Sequence, residues 1–161
     1  MKNALFLGLL ATMSVVLMAS AVHATPLPPV ELRVSDTPQW SGELTNPETG
    51  AVAGVSAHPH FRVRYLLDGT PSPAVSMRVQ VSLDPEFVEL FWDSGFVAIS
   101  PTGHLGLTSD LAYAGSQLEQ GFTYFWRAAL KDDQGAASAF SEAAVFQIAE
   151  EGAGVDLRAT T

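Results

Sequence analysis

The chain has 161 residues, carries 17 acidic against 8 basic side chains for a formal net charge of −9, and contains no cysteine. The lack of cysteine excludes a disulfide framework, a thiolate zinc site and a cysteine nucleophile. The negative charge argues against nucleic acid as a partner, because neutralising phosphates requires clustered Lys and Arg. The length suits one domain with a single hydrophobic core.

The first 24 residues have the order of a secretory signal peptide. Lys2 gives a positive start, a long apolar run follows, and the run ends in the small-residue stretch 19–24. Cleavage after Ala24 is preferred, and cleavage after Ala21 also fits. The alternative is an uncleaved membrane anchor, but the run is short for a spanning helix of about 20 residues. We therefore expect a secreted, periplasmic or cell-surface protein with no membrane span once the signal is removed.

The rest of the chain alternates apolar and polar residues in short segments, a pattern typical of half-buried strands. Loop chemistry is expected over 35–56, interrupted by at most one short pairing segment, and over 100–109. The pattern indicates an all-β sandwich of about seven strands spanning 25–149, followed by a flexible tail over 150–161. In chain order, strands are predicted at 30–34, 61–65, 75–81, 88–92, near Leu111, at 124–130 and at 145–148.

Residues 118–127, Leu-Glu-Gln-Gly-Phe-Thr-Tyr-Phe-Trp-Arg, resemble the E–F corner of a fibronectin type III domain. Leu118 precedes Tyr124 by six positions, and the tyrosine opens a strand as in a tyrosine corner, whose hydroxyl bonds to the upstream backbone. Residues 131–142 resemble the F–G turn and the start of strand G. Residues 79–87 and 91–95 look like strands C and C′ of the bacterial variety of this domain.

That variety is similar to modules attached to secreted glycosidases, including the N-terminal region of α-L-rhamnosidases. The resemblance covers roughly residues 29–148 and implies a fibronectin III or immunoglobulin-like sandwich. It says little about function, because the fold hosts many unrelated roles. One departure is Val63, which stands where strand B often carries a tryptophan. Trp92 and Trp126 are expected to fill the core in its place.

Catalytic and metal-binding chemistry is sparse. His58 and His60 share a strand face, but Pro59 lies between them and no third ligand is adjacent, so surface histidines are favoured over a metal site. The carboxylates of Asp84, Glu86 and the pair 132–133 fit turns better than a calcium loop. We expect no enzymatic activity and no cofactor or metal.

The candidate interaction face consists of outward residues on two neighbouring strands. Phe125 and Arg127 lie on the outer parity of one strand, and Arg78 and Gln80 on that of the other. An outward Phe flanked by Arg is a composition enriched at protein interfaces, whereas the alternative is an ordinary solvated sheet face. Trp40 lies in a polar loop, where it either covers the end of the sandwich or stacks on a sugar.

These observations favour a non-catalytic secreted module for protein–protein interaction or self-association, as a subunit of a cell-surface or extracellular assembly. The alternative is a carbohydrate-binding accessory module of a secreted glycosidase, which the resemblance and Trp40 support, with a polysaccharide as ligand. A small hydrolase ranks third.

Overall fold

The computed structural model describes residues 25–36, 51–67 and 72–149. Within these ranges the chain forms β-strands and no helix, which confirms the predicted all-β sandwich class. The nine strands within the described ranges are β1 (Val30–Ser35), β2 (Ala51–Val55), β3 (His60–Arg64), β4 (Ala74–Ser82), β5 (Trp92–Asp93), β6 (Val97–Thr102), β7 (Leu111–Ala112), β8 (Thr123–Asp132) and β9 (Ala144–Ile148).

The strands form two sheets that enclose one core. The smaller sheet has the order β1-β3-β7 and is antiparallel. In the larger sheet the order is β2-β9-β8-β4-β5, and β6 also pairs with β4. The long strands β4 and β8 form its centre and pair antiparallel from Ala74 with Asp132 to Ser82 with Phe125. β2 runs parallel to β9.

The register defines two ends of the sandwich. At the apical end, β4 ends at Ser82, β8 begins at Thr123 and β9 ends at Ile148. At the basal end, β8 ends at Asp132 and β1 begins opposite Arg64, the last residue of β3. The hydroxyl of Tyr65, the residue after β3, donates a hydrogen bond of 2.9 Å to the carbonyl of Ser72 in the segment leading into β4. The chain therefore enters the sandwich at the basal end and leaves it at the apical end.

Aromatic side chains from both sheets fill the interior. The ring of Phe61 in β3 is centred 4.7 Å from Trp126, 6.0 Å from Phe146 and 6.3 Å from Trp92. The core cluster contains both Val63 and Trp126, and Trp92 packs against it. The two tryptophans therefore fill the core as expected. The residues that the alternation assigns to the core are all buried: Phe61, Met77, Tyr124, Trp126 and Phe146.

The predicted tyrosine contact is present at the start of β8. The hydroxyl of Tyr124 accepts a hydrogen bond of 2.9 Å from the backbone N–H of Glu119, upstream of the strand. Leu118, six residues before the tyrosine, is buried in the core. The side chain thus ties the connection before β8 to the strand itself.

Two stretches differ from the sequence prediction. Of the predicted strand 88–92 only Trp92 pairs with β4, together with Asp93 just beyond it, because the Asp84 carboxylate accepts the N–H groups of Glu86 and Val88 and turns the chain. β6 occupies part of the region expected to be looser. β2 fits the one short pairing segment allowed for within the expected loop 35–56, and its partner β9 is distant in sequence.

Three predictions fall outside the described residues: the signal peptide at 1–24, Trp40, and the tail at 150–161. Over the ranges that are described, no helix is long and apolar enough to cross a membrane.

Candidate interaction surfaces

The structure brings the four predicted face residues together on the outer side of β4 and β8. Gln80 pairs with Arg127 across the two strands, and Phe125 lies opposite Ser82. The Nε of Arg127 donates a hydrogen bond of 2.9 Å to the Oε1 of Gln80. The predicted neighbourhood of these side chains is therefore present in the fold.

Asp93 of β5 joins this group and carries its negative charge. Its Oδ1 accepts a 2.8 Å hydrogen bond from the Nε of Arg78, and its Oδ2 accepts one from the guanidinium Nη2. The Nε2 of Gln80 and the N–H of Gly95 donate to the same carboxylate, each at 2.9 Å. These donors, Arg78 first, outweigh partial burial and hold the pKa of Asp93 well below its usual range.

Two phenylalanines cover the guanidinium of Arg127. Its central carbon lies 4.2 Å from the ring centre of Phe87 and 4.4 Å from that of Phe140. Arg78 lies 5.6 Å from the Phe140 ring. A cation between aromatic faces gains from both ring quadrupoles. We call this group, Arg78, Gln80, Asp93 and Arg127 with Phe87 and Phe140, the arginine cluster.

The predicted face residues are more buried than the exposed patch that was expected. Gln80 is only 5% exposed, and Arg78, Arg127 and Phe125 are half-buried. The polar groups of Arg78, Gln80 and Arg127 are engaged within the chain, so they stabilise the sheet face. Sequence reasoning missed Asp93, Phe87 and Phe140, because their approach depends on how the connecting segments fold over the sheet.

A braced loop at the apical end presents apolar side chains to solvent. We call residues 83–91 the apical loop. The Oδ1 and Oδ2 of Asp84 accept hydrogen bonds of 3.0 and 2.8 Å from the N–H groups of Glu86 and Val88. The Ser82 hydroxyl donates to the carbonyl of Glu89 at 2.8 Å. These bonds brace the loop against the end of β4.

Four large apolar side chains are exposed at this end of the sandwich. Val88 is 81% exposed, Leu83 49%, Leu90 42%, and Phe122, just before β8, 47%. We call the apical loop together with Phe122 the apical surface. Exposed apolar residues that gather in one place mark interaction sites more often than scattered ones do. Neither the loop's conformation nor this grouping follows from the strand pattern.

A lateral groove runs between the edge of the larger sheet at β5 and β6 and the edge of the smaller sheet at β7. Its volume is about 320 Å³, and its lining includes Trp92, Val97, Ile99, Asp110 and Leu111. The Asp110 Oδ2 lies 2.8 Å from the Nδ1 of His60. The wall is mainly apolar and includes two acidic residues, Asp110 and Asp93, a composition suited to a small polar ligand.

The histidine pair considered for metal binding is split in the structure. His60 is half-buried on β3 beside Asp110, whereas His58 is exposed in the turn before the strand. Within the ranges that the structure describes, no group of three or more His, Asp or Glu side chains is placed to hold a metal ion.

Comparisons with known proteins relate the chain to parts of two enzymes. It is similar to the α-L-rhamnosidase of Streptomyces avermitilis, solved with L-rhamnose, with 22% identity over 76% of this chain and a TM-score of 0.55. The α-L-rhamnosidase of Dictyoglumus thermophilum gives 23% identity over 79% of the chain and a TM-score of 0.57. The match spans only 10% and 13% of those enzymes, respectively. No protein-family model and no curated protein matches. The likeness therefore shows the fold.

Proposed function

We propose that this chain is a non-catalytic, fibronectin III-like module that binds a protein partner through the apical surface. It acts as a subunit of an extracellular or cell-surface assembly. The observation that carries the proposal is Val88, which is 81% exposed on a loop that Asp84 braces. A pre-ordered loop loses little conformational entropy on binding, so its apolar area contributes more fully to affinity.

The comparisons support an accessory rather than a catalytic role. The sandwich corresponds to 10–13% of the rhamnosidase chains, so it matches a small part of each enzyme. The Tyr124 contact supports the fibronectin III assignment, because such a corner is typical of these sandwiches. Export depends on the signal peptide predicted over residues 1–24.

Photo-crosslinking in the native cells tests this role. A photoreactive residue at position 88 is compared with one at position 139, which is also exposed but lies along β8 away from the apical end. We expect protein adducts from position 88 and few from position 139. Equal yields at both positions, or none at either, would contradict the proposal.

The lateral groove favours a second candidate, a carbohydrate-binding accessory module of a glycosidase. The half-buried Trp92 offers a stacking face, and Asp110 can accept hydrogen bonds from sugar hydroxyls. L-Rhamnose and rhamnose-containing oligosaccharides, titrated against tryptophan fluorescence, test it. Saturable quenching that weakens in Asp110→Asn supports this candidate, and an unchanged spectrum counts against it.

A further inference from the structure

A small pocket opens within the apical loop, next in sequence to exposed Val88. Its volume is about 170 Å³. Three apolar and two acidic residues line it: Leu83, Leu90 and Phe91, with Asp84 and Glu89. We call it the apical pocket. Sites for small molecules usually measure roughly 300–1,000 Å³, so this pocket has room for one side chain of a protein partner rather than for a free ligand.

The carboxylates of the apical loop have no cationic partner among the residues that the structure describes. None of the ion pairs in those ranges includes Asp84, Glu86 or Glu89. Asp84 accepts its two hydrogen bonds from backbone N–H groups, which carry no net charge, and both glutamates are exposed. Their negative charges are therefore available to a partner.

One basic side chain contacts the loop from the sheet face. The central carbon of the Arg127 guanidinium lies 4.2 Å from the ring centre of Phe87. The ring of Phe140 and the hydrogen bond to Gln80 hold the guanidinium there. The loop itself carries three carboxylates and no basic residue, so the charge of this region is −2 even when Arg127 is counted. The apical pocket therefore attracts a positive group.

The backbone is strained in the same loop. Phe87 has a φ of 56°, a left-handed conformation that costs free energy at a non-glycine residue. Its ring packs on Arg127 and the residue is 8% exposed, whereas Val88, the next residue, is 81% exposed. The strained residue lies where the chain changes from contact with the sheet to contact with solvent. Strained residues of this kind cluster at functional sites, which supports a binding role for the loop.

We propose that the apical pocket binds a lysine or arginine side chain of a different protein, and that an apolar neighbour of that side chain packs on Val88. This inference rests on the proposed function and specifies the chemistry of its partner. A basic side chain fits both parts of the lining, because its apolar stem packs against the leucines and the phenylalanine while its charged head meets the carboxylates. An apolar side chain alone would desolvate Asp84 and Glu89 without pairing them.

The chain's own basic residues are a poor source of this side chain. All those in the described ranges already interact within the chain: Arg33, Arg62, Arg64, Arg78, Arg127 and Lys131. A second copy would have to give up one of these interactions to fill the pocket. Residues 37–50 and 150–161, which follow strands that end at the apical end, contain five acidic residues and a single arginine, so they share the sign of the loop. Electrostatic complementarity therefore favours a different, basic partner.

Two short peptides test the pocket by heteronuclear NMR on the purified protein. Acetyl-Leu-Arg-Leu-amide carries the proposed basic side chain, and acetyl-Leu-citrulline-Leu-amide replaces the guanidinium with a neutral urea group of nearly the same shape. We expect the arginine peptide to cause saturable chemical-shift changes in the amides of residues 83–91 and of Phe122. These changes should weaken in high salt, because salt screens exposed charges. The citrulline peptide should cause much smaller changes.

Glu89→Gln removes one charge from the pocket and should weaken binding of the arginine peptide roughly two- to fivefold, the usual range for one exposed ion pair. The melting temperature should stay at its wild-type value, because Ser82 bonds to the backbone carbonyl of Glu89 and not to its side chain. Glu142→Gln is the matched control. Glu142 is also exposed, but it follows Ser141, whose N–H bonds to the carbonyl of Ala128 in the middle of β8.

Photo-crosslinking from position 88 in the native cells separates this inference from the proposed function. The adduct yield should fall when Glu89→Lys is added and should stay unchanged when Glu142→Lys is added. Mass spectrometry of the adducts should place the crosslinked residue of the partner next to a lysine or arginine.

Three results would overturn the basic partner: equal binding of the two peptides, no binding of either, or adducts that are insensitive to Glu89→Lys. Protein adducts from position 88 would in that case leave the proposed protein-binding role standing, with the apical surface acting as an apolar contact alone. Absence of such adducts in the otherwise wild-type protein would remove both proposals.

Discussion

Single side chains in this molecule connect segments that are distant in the sequence. Asp93 accepts hydrogen bonds from Arg78, Gln80 and Gly95, and Gln80 in turn accepts one from Arg127. One carboxylate thereby links β5 to β4 and, through Gln80, to β8. A substitution such as Arg127→Glu would disturb this network first, so a loss of binding in that variant would not identify a contact residue.

The tyrosine hydroxyl gives a measurable contribution to stability. Tyr124→Phe removes the acceptor for the N–H of Glu119 and should lower the free energy of unfolding by about 1–3 kcal/mol. Trp126→Ala leaves a cavity beside Phe61 and should cost about 3–5 kcal/mol. Urea denaturation measures both. If both variants unfold with the wild type, these side chains do not face the core.

Asp93 makes the stability depend on pH in the acid range. Its pKa in the folded protein lies below its ordinary value, mainly because Arg78 donates hydrogen bonds to the charged form. The stabilisation is therefore complete above the ordinary pKa of about 4 and is lost as the pH falls toward the lower, folded value. We expect Asp93→Asn to be less stable than the wild type near pH 7, with the difference shrinking on acidification. A pH-independent difference would contradict this assignment.

Elements in this sandwich depend on partners far along the chain. β1 pairs with β3 inside the same chain, from Val30 with Arg64 to Ser35 with His60. The apical loop leaves β4 and returns to it through β5, so its conformation depends on both. The strand at the beginning of the domain is thus part of its own sheet.

Removing β1 should therefore unfold the domain. Deletion of residues 25–34 takes away most of a strand and buried Val34, and it uncovers the β3 edge that pairs with β1. We expect loss of the cooperative thermal transition in circular dichroism. A deletion variant that melts like the wild type would mean that this strand is dispensable and available for donation to a neighbour.

The whole molecule is acidic, free of cysteine and built around one aromatic core. The stability of such a domain comes from packing and hydrogen bonds alone, so reductant should leave its melting temperature unchanged.

The first residue of the mature protein tests the predicted export. If residues 1–24 are a signal peptide, mass spectrometry of the exported protein should find Thr25 as the first residue, or Val22 for the other cleavage site. A terminus at Met1 in the membrane fraction would show that the segment is retained as an anchor.

The sequence by itself determined the fold class and most of the core. Strand periodicity places alternate residues on one face, so burial of Phe61, Tyr124 and Trp126 followed from local pattern, and the tyrosine contact followed from the resemblance to the E–F corner. The proximity of Arg78, Gln80 and Arg127 also followed, because β4 and β8 pair as in the resembling fold.

Only the tertiary structure decided which of these residues remain available to a partner. The approach of Asp93, Phe87 and Phe140 to the sheet face depends on how connecting segments cross it, and periodicity carries no information about that. Residues 88–91 of the apical loop were predicted to be part of a strand that follows a turn at 84–86. The turn is present, because Asp84 accepts backbone hydrogen bonds there, but residues 88–91 do not continue as a strand. Alternation buries one face of a segment only when that segment pairs in a sheet. Val88 lies outside any strand and therefore remains in solvent, where it forms part of the surface proposed for binding.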